Sequence, residues 1–113
     1  MSEAKEFFGQ FNAGMGRAKE MAPNAVNGFG GLFAKVMGEG TLSVKQKELI
    51  ALGIGMALQC EPCIRLHVKK CVEAGASREE IMEAASVAVM MAGGPAYTHL
   101  PMAAETLDAV LEG

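Results

Sequence analysis

The chain has 113 residues, ten of them Lys or Arg and 13 Asp or Glu, which gives a formal net charge of −3. We expect residues 1–113 to form a single domain, because two halves of this chain would each be too small to bury a hydrophobic core. The acidic pI of about 5.4 and the scattered basic residues exclude the basic surface that nucleic-acid binding requires.

The composition is more apolar than that of an ordinary small domain. Hydrophobic residues make up 50% of the chain, and 14 glycines come in addition. Ordinary soluble domains reach about 45–50% with glycine included. A domain of this size buries only about two-thirds of the surface of its unfolded chain. We therefore expect other copies of the chain to cover part of the apolar surface in a homo-oligomer.

One long stretch, residues 84–104, contains no Asp, Glu, Lys or Arg. Gly93, Gly94, Pro95 and Pro101 interrupt it, whereas a membrane span needs about 20 continuous apolar residues. Buried helices are the better interpretation, and no membrane association is expected.

The first ten residues, MSEAKEFFGQ, mix both signs of charge and lack the apolar segment of a secretory signal peptide. Three cysteines without such a signal indicate a reducing compartment, the cytoplasm. Paired cysteines there are catalytic or bind metal more often than they form structural bridges.

Apolar residues recur at helical spacing along the chain, and few segments alternate with the period of a strand. An apolar stripe predicts a first helix over about residues 4–20. Pro23 can open a second helix, which ends at Gly38 or Gly40.

Two capping boxes mark later helices. Ser43–Gln46 opens the helix that carries the apolar run Leu49–Leu58, and Ser77–Glu80 opens a helix that ends near Ala92.

Prolines and a glycine mark the remaining elements. A helix over Glu61–Gly75 has Pro62 in its first turn and a glycine at its end. A last helix is expected over about Pro95–Leu111, with a kink at Pro101. The sequence thus predicts an all-α, single-domain bundle of about six helices.

Cys60, Cys63, His67 and Cys71 follow one another at steps of three or four residues and therefore share one face of a helix. Zinc uses such ligands, but Cys60 and Cys71 would lie about 16 Å apart along the helix axis. Ligands of one zinc ion lie within about 4 Å of each other. Three of these residues at most could bind one ion, with Glu48 as a fourth ligand. A non-catalytic metal-binding or interaction module is the alternative function.

Thiol redox chemistry is the other interpretation of the same residues. Cys-x-x-Cys at a helix start brings two sulfurs near enough to form a disulfide, and the helix N-terminus stabilises a thiolate on Cys60. His67 follows Cys63 by four residues, so its imidazole can reach that thiol directly or through a water. The helix N-terminus favours Cys60 as the reactive thiolate, whereas His67 favours Cys63.

A resemblance to a known family rests on the segment GTLSVKQKELIALGIGMALQCEPCIRLHVKKCVEAGASREEIMEA. It resembles the alkylhydroperoxidase AhpD-like branch of the carboxymuconolactone decarboxylase superfamily, whose signature is a Glu, eleven residues, then C-x-x-C-x-x-x-H. Glu48, Cys60, Cys63 and His67 match each position. The flanking helix start, the helix junction and the Gly-Gly-Pro also match, so the resemblance covers about residues 21–111.

The resemblance implies an all-α fold, oligomers with active sites near subunit contacts, and thiol-dependent reduction of small hydroperoxides. In the family the Glu and the His form a proton relay to the second cysteine, which becomes a sulfenic acid and is resolved by the first. Cys63 would then be peroxidatic and Cys60 resolving, with Glu48 and His67 as the relay. An unidentified dithiol or partner protein would return the electrons, and neither a cofactor nor a metal is expected.

Two features depart from the family pattern. The best-known members carry a His immediately before the second motif cysteine, where this chain has Pro62. That loss would weaken peroxidase turnover and leave a disulfide reductase or an enzyme with an unusual oxidant. The long members contain two copies of the helical unit and this chain contains one, so a homohexamer built from dimers is the expected assembly. The lactone decarboxylase branch lacks the paired cysteines, so its activity is not implied.

The other candidates have simpler interpretations. Cys71 is expected to be a buried apolar thiol, and the nine methionines to fill the core and the interfaces. His99 and Tyr97 are expected to make structural hydrogen bonds, although the helix that carries them can also line the pocket.

Overall fold

The structure, a computed structural model, describes residues 2–113. Within these residues it contains seven helices and no strand: α1 (Glu3–Met21), α2 (Pro23–Met37), α3 (Val44–Ala57), α4 (Glu61–Glu73), α5 (Arg78–Ala92), α6 (Gly94–Tyr97) and α7 (Leu100–Glu112). The prediction of an all-α fold is confirmed. No helix in the described part of the chain combines the length and the apolar character needed to cross a lipid bilayer.

Both predicted capping boxes are present. The side chain of Ser43 accepts a hydrogen bond from the amide of Gln46, whose own side chain accepts from the amide of Ser43. Ser77 and Glu80 make the same reciprocal pair at the start of α5. These bonds satisfy amide groups that have no partner within the helix, which is why α3 and α5 begin where the sequence predicts.

The last predicted helix is divided in two near Pro101, since a proline inside an α-helix either kinks or breaks it. Its ring would collide with the carbonyl of Tyr97, four residues earlier, and its nitrogen has no hydrogen to donate to that carbonyl. The chain ends α6 at Tyr97 and starts α7 at Leu100 instead. Pro101 then occupies the first turn of α7, where no amide donor is required. The predicted kink is therefore a complete break.

The hydrophobic core lies between α3, α4, α5 and α7, and α3 packs against both α4 and α5. Ten buried residues form one continuous cluster: Leu52, Met56, Ile64, Val68, Cys71, Ile81, Ala85, Ala88, Ala103 and Leu107. Each of the larger aliphatic side chains contributes about 1.5–3 kcal/mol through burial. The core thus fixes the relative positions of α3 and α4, the two helices that carry the predicted site residues.

The first two helices lie outside this core. Ala4 is the buried residue of α1, and α2 buries none completely. Three apolar residues of α2 are half-buried: Val26, Phe33 and Met37. Three others are more than half exposed: Phe29, Leu32 and Val36. These last three residues leave apolar surface on α2 open to a partner.

Arg65 has the largest of the fully buried side chains in the described part of the chain, with an exposed fraction of 2%. Its guanidinium donates to the carboxylates of Glu61 at 3.0 Å and Glu105 at 2.7 Å, and to the hydroxyl of Thr106 at 2.9 Å. Burial alone would lower the pKa of Arg65, but the hydrogen bonds to Glu105 and Glu61 raise it above its ordinary value. The charge is therefore retained inside the protein, where it ties the first turn of α4 to α7.

A tight corner joins α3 to α4, and Gln59 adopts a left-handed conformation there, with φ +55°. The amide of Gln59 donates to the carbonyl of Met56, and the amide of Cys60 donates to the carbonyl of Gly55, both at 3.1 Å. This is the Schellman arrangement that ends many helices, usually with glycine at the left-handed position. The chain follows that rule at the end of α4, where Gly75 has φ +89°.

We expect Gln59→Gly to stabilise the protein, because glycine adopts φ +55° without the steric penalty that a side chain incurs. The relief exceeds the extra entropy that glycine loses on folding by about 0.5–1 kcal/mol. Thermal unfolding followed by circular dichroism should show a melting temperature about 2–6 °C higher. The matched change at the other corner, Gly75→Gln, should lower the melting temperature. An unchanged or lower melting temperature for Gln59→Gly would show that the backbone of Gln59 is not strained.

Candidate active site

Cys60 and Cys63 lie at the start of α4 and are joined by a disulfide. Their Cα atoms are 5.2 Å apart, within the range that a disulfide spans. Cys60 is the N-cap residue of α4, and its Sγ accepts a hydrogen bond from the amide of Cys63 at 3.3 Å. Pro62 occupies the first turn, where its missing amide hydrogen costs nothing. The two sulfurs are therefore paired at a helix N-terminus, as the motif predicts.

Glu48 and His67 form a hydrogen-bonded pair between α3 and α4. Nδ1 of His67 lies 2.6 Å from Oε1 of Glu48, a residue with an exposed fraction of 3%, and the His67 side chain is 19% exposed. When the carboxylate is ionised, the Nδ1–H group donates to it, and Nε2 keeps the lone pair that can accept a proton. Glu48 thus sets both the orientation and the tautomer of His67.

The two bonded pairs lie one helical turn apart. His67 follows Cys63 by four residues within α4, so the two side chains project from the same face of the helix. All four residues predicted from the sequence are therefore brought into one region as the Cys60–Cys63 disulfide and the Glu48–His67 hydrogen bond. Once the disulfide is reduced, an oriented imidazole next to a thiol can act as its general base.

Cys71 lies one turn beyond His67 and is a free, buried cysteine. Burial, assisted by the negative charge of Glu48, raises the pKa of the Cys71 thiol to about 12. At neutral pH it is a protonated and unreactive thiol. The expectation of a buried apolar thiol is confirmed.

His99 makes the structural hydrogen bond that we expected, because its Nδ1 lies 2.7 Å from the carbonyl oxygen of Pro95. Tyr97, by contrast, is exposed to solvent. Among residues 2–113 no group of three or more His, Cys, Asp or Glu side chains is arranged to hold a metal ion.

Gly55 allows α3 to approach α4 at the second motif cysteine. A Cβ atom at Gly55 would lie only 3.0 Å from Cβ of Cys63 and 3.4 Å from the carbonyl carbon of that residue. Glycine within a helical apolar run often has a packing reason. That signal in the segment LGIG applies to Gly53 and Gly55 alike, and only the structure shows that Gly55 is the glycine packed against Cys63.

The imidazole of His67 also contacts an aromatic residue of α2. The ring of Phe33 stacks on it, with 6.3 Å between the ring centroids and 23° between the ring planes. No spacing within α2 distinguishes Phe33 from its other apolar residues, because the contact depends on how α2 docks against α4.

We expect Gly55→Ala and Gly53→Ala to change stability in opposite directions. Alanine is normally favoured over glycine in a helix by about 1 kcal/mol. At Gly53 the new Cβ would meet only the Ala84 carbonyl oxygen at 4.0 Å, so Gly53→Ala should raise the melting temperature. At Gly55 the contact with Cys63 should reverse the sign, since overpacking costs about 1–3 kcal/mol. Equal stabilisation by both variants, measured by thermal unfolding, would show that the approach is not tight.

Comparison with known proteins gives the family of this chain. The sequence profile of the carboxymuconolactone decarboxylase family matches residues 23–106. An uncharacterised protein of the cox locus of Paracoccus denitrificans is 35% identical over 99 residues, which span 88% of this chain and 89% of the relative.

Two solved structures have a similar fold. A carboxymuconolactone decarboxylase family protein of Legionella pneumophila is 30% identical, with a TM-score of 0.90 over 96% of each chain. A family protein of Thermotoga maritima, for which a role in an antioxidative response has been suggested, is 33% identical, with a TM-score of 0.82 over 93% of this chain and 90% of that one. The profile match covers well over half of the sequence, and the chain belongs to the carboxymuconolactone decarboxylase family.

Proposed function

We propose that this chain is a thiol-dependent peroxidase and disulfide oxidoreductase of the AhpD-like branch, which reduces small hydroperoxides in the cytoplasm through a Cys60–Cys63 dithiol–disulfide cycle. The observation that carries the proposal is the 2.6 Å hydrogen bond between Glu48 and His67, one helical turn beyond the cysteine pair. The antioxidative role suggested for the Thermotoga maritima relative supports it. A metal-binding module would need both thiols as free ligands, whereas the structure joins them in a disulfide.

The cycle starts from the reduced protein. The Cys63 thiol gives its proton to Nε2 of His67, and the thiolate attacks a peroxide oxygen, so that the O–O bond breaks and the S–O bond of a sulfenic acid forms. The proton on His67 passes to the leaving alkoxide, which departs as an alcohol. The Cys60 thiol then attacks the sulfenic sulfur, which forms the disulfide and releases water. A dithiol, either small or carried by a partner protein, returns two electrons and two protons.

Glu48 acts through His67. A carboxylate close to a thiol raises the pKa of that thiol, as Glu48 does for Cys71, and this effect alone would reduce the reactive fraction. Its useful contribution is to orient His67, to stabilise the imidazolium that forms, and to accept the proton directly or through water.

A physical argument supports each of the two cysteines as the one that attacks the peroxide. The amide hydrogen bond to Sγ of Cys60 stabilises a thiolate there, and interactions at a helix N-terminus contribute about 0.3–2 kcal/mol. His67 lies one turn from Cys63, and general-base assistance contributes about 10²–10⁴-fold, or roughly 3–5 kcal/mol. The larger effect decides the assignment, with Cys63 as the peroxidatic and Cys60 as the resolving cysteine.

Trapping of sulfenic acid tests this function and the order of attack. With a stoichiometric amount of hydroperoxide, Cys60→Ser should form a sulfenic acid on Cys63 that a dimedone-type probe captures, because no resolving thiol remains. Cys63→Ser should form none on Cys60. Mass spectrometry of peptides locates the probe, and Cys71 should stay unlabelled because its thiol pKa is about 12. The reverse pattern would exchange the two roles. If neither variant were labelled, the proposed peroxidase activity would be wrong, and Pro62, which replaces the family's His, would explain that result.

The relay predicts equal and non-additive losses on mutation. In the Cys60→Ser background, Glu48→Gln and His67→Asn should each slow alkylation of Cys63 at pH 7 by about tenfold or more. The double variant should be little slower than either single one, since residues that act as one unit are not additive. Glu73→Gln removes an exposed carboxylate of the same sign from α4 and should leave the rate unchanged. Multiplicative losses, or faster alkylation after Glu48→Gln, would show that there is no relay.

The exposed apolar surface supports assembly into a homo-oligomer, for which a homohexamer built from dimers is our proposal. A shallow, almost entirely apolar groove lies between α3 and α5, and four side chains that line it are more than half exposed: Ile50, Ile54, Val87 and Met91. Leu58 continues this surface to the α3–α4 corner, next to Cys60. Contiguous exposed apolar surface of this kind marks an interaction site. A second copy docked there would lie close to the cysteine pair.

Light scattering tests the assembly at micromolar concentration. The measured mass should be about six times the 11.8 kDa of one chain. Ile54→Glu should reduce it, because a carboxylate would lose its hydration in an apolar interface. Leu111→Glu places the same charge at an exposed apolar position of α7 and should leave the mass unchanged. A monomeric wild-type protein would contradict the proposal.

A further inference from the structure

Phe33 covers the His67 imidazole from the side of α2. The two rings stack with 6.3 Å between centroids, and Nζ of Lys70 lies 5.0 Å from the centroid of the Phe33 ring. Phe33 therefore has the imidazole and an ammonium group as neighbours, and both come from α4. A flat ring against a flat ring restricts how the imidazole can rotate, which an aliphatic side chain of similar volume would not do.

The position of Phe33 depends on a polar attachment at the end of α2. Nζ of Lys47, on α3, donates to the carbonyl oxygens of Val36 at 2.8 Å and Gly38 at 2.6 Å. Carbonyls at a helix C-terminus have no partner within the helix, so the ammonium group supplies one and also complements the helix dipole. Since α2 buries no residue completely, the two Lys47 bonds are a direct polar attachment of the end of α2 to α3.

A groove beside Phe33 extends as far as Glu48. A groove of about 340 Å³ opens between α2, α3 and α4, and its lining includes Phe33, Met37, Glu48, Lys70 and Glu73. Glu48 thus lies at the inner end of a groove whose outer wall is α2. If α2 moved away, water would reach the hydrogen bond between Glu48 and His67 and compete with it.

We infer that Phe33 is a positioning residue for the Glu48–His67 pair, and that α2 is a cap which Lys47 holds over that pair. Phe33 keeps the imidazole in the plane in which Nδ1–H donates to Glu48 and Nε2 faces the turn that carries Cys63. It also shields the hydrogen bond, which is stronger in a poorly hydrated environment. The catalytic consequence of this inference rests on the proposed function, whereas its geometric part does not.

Proton NMR of the full-length oxidised protein tests the geometry. The Nδ1–H proton of His67 should give a far-downfield signal, identified by its loss in His67→Asn. In Phe33→Leu this proton should exchange with water about tenfold faster, which corresponds to ~1.4 kcal/mol of lost protection. Phe33→Tyr keeps a stacking ring and should restore slow exchange. Lys47→Met leaves the pair and Phe33 intact but releases α2, and it should also accelerate exchange.

Phe29→Leu is the matched control, because Phe29 lies one turn before Phe33 on the same helix and is 67% exposed. Its signal should match that of the wild type. Wild-type exchange in Phe33→Leu, or equal acceleration in Phe29→Leu, would overturn the inference.

Alkylation of Cys63 in the reduced Cys60→Ser background then tests the consequence. Phe33→Leu should slow it severalfold, and Phe33→Tyr should not. The NMR signal requires no peroxide. If the protein failed to reduce hydroperoxides, the proposed function would be wrong, but the positioning role of Phe33 could still be measured. If Phe33→Leu left the exchange of the His67 proton unaltered while the wild-type protein reduced hydroperoxides, the positioning role would be wrong and the proposed function would stand.

Discussion

The close approach of α3 to α4 is the constraint on which the candidate site depends. Glu48 and Gly55 lie seven residues apart on α3, two helical turns, so they share the face of α3 that meets α4. Leu52, between them, is fully buried in the core. At one end of this face Gly55 leaves room for Cys63, and at the other end Glu48 reaches Nδ1 of His67. A single helix contact therefore brings the Cys60–Cys63 pair and the Glu48–His67 pair into one region.

Arg65 and His67 make polar contacts with neighbouring helices from different sides of α4. His67 and Arg65 are two residues apart, so their side chains project from nearly opposite faces of the helix. Arg65 keeps its charge at every physiological pH, and its bonds to Glu61 and Glu105 can only fix the first turn of α4 in place. Arg65 therefore supports the scaffold of α4, while His67 projects from the face of α4 that also carries Cys63.

The helix boundaries were largely predictable because local contacts determine them. The boxes at Ser43 and Ser77 join groups three residues apart, and the Cys-x-x-Cys motif also lies within one turn, so their geometry follows once a helix forms. Pro101 is the exception: its local effect was recognised, but a kink was predicted where the chain breaks the helix. A kink needs neighbours that keep the helix axis continuous, and here α6 ends before the proline and α7 begins again, with Leu107 and Ala103 packed into the core. The proline disrupts the helix, and the packing of the bundle determines that the helix breaks instead of kinking.

The sequence by itself determined the class of fold, the helices that carry the motif, and the four residues to consider, since spacings of three and four residues define a helix face and a signature. The family resemblance implied that Glu48 and His67, 19 residues apart, act together, and the tertiary structure showed the hydrogen bond that joins them. Only the tertiary structure decided that Arg65 meets Glu105, 40 residues further on, and that Phe33 reaches His67 from a helix outside the core. The physical reason is that the rotation and register of one helix against another are set by the packing of all the side chains between them. A pattern within one helix contains no information about that packing.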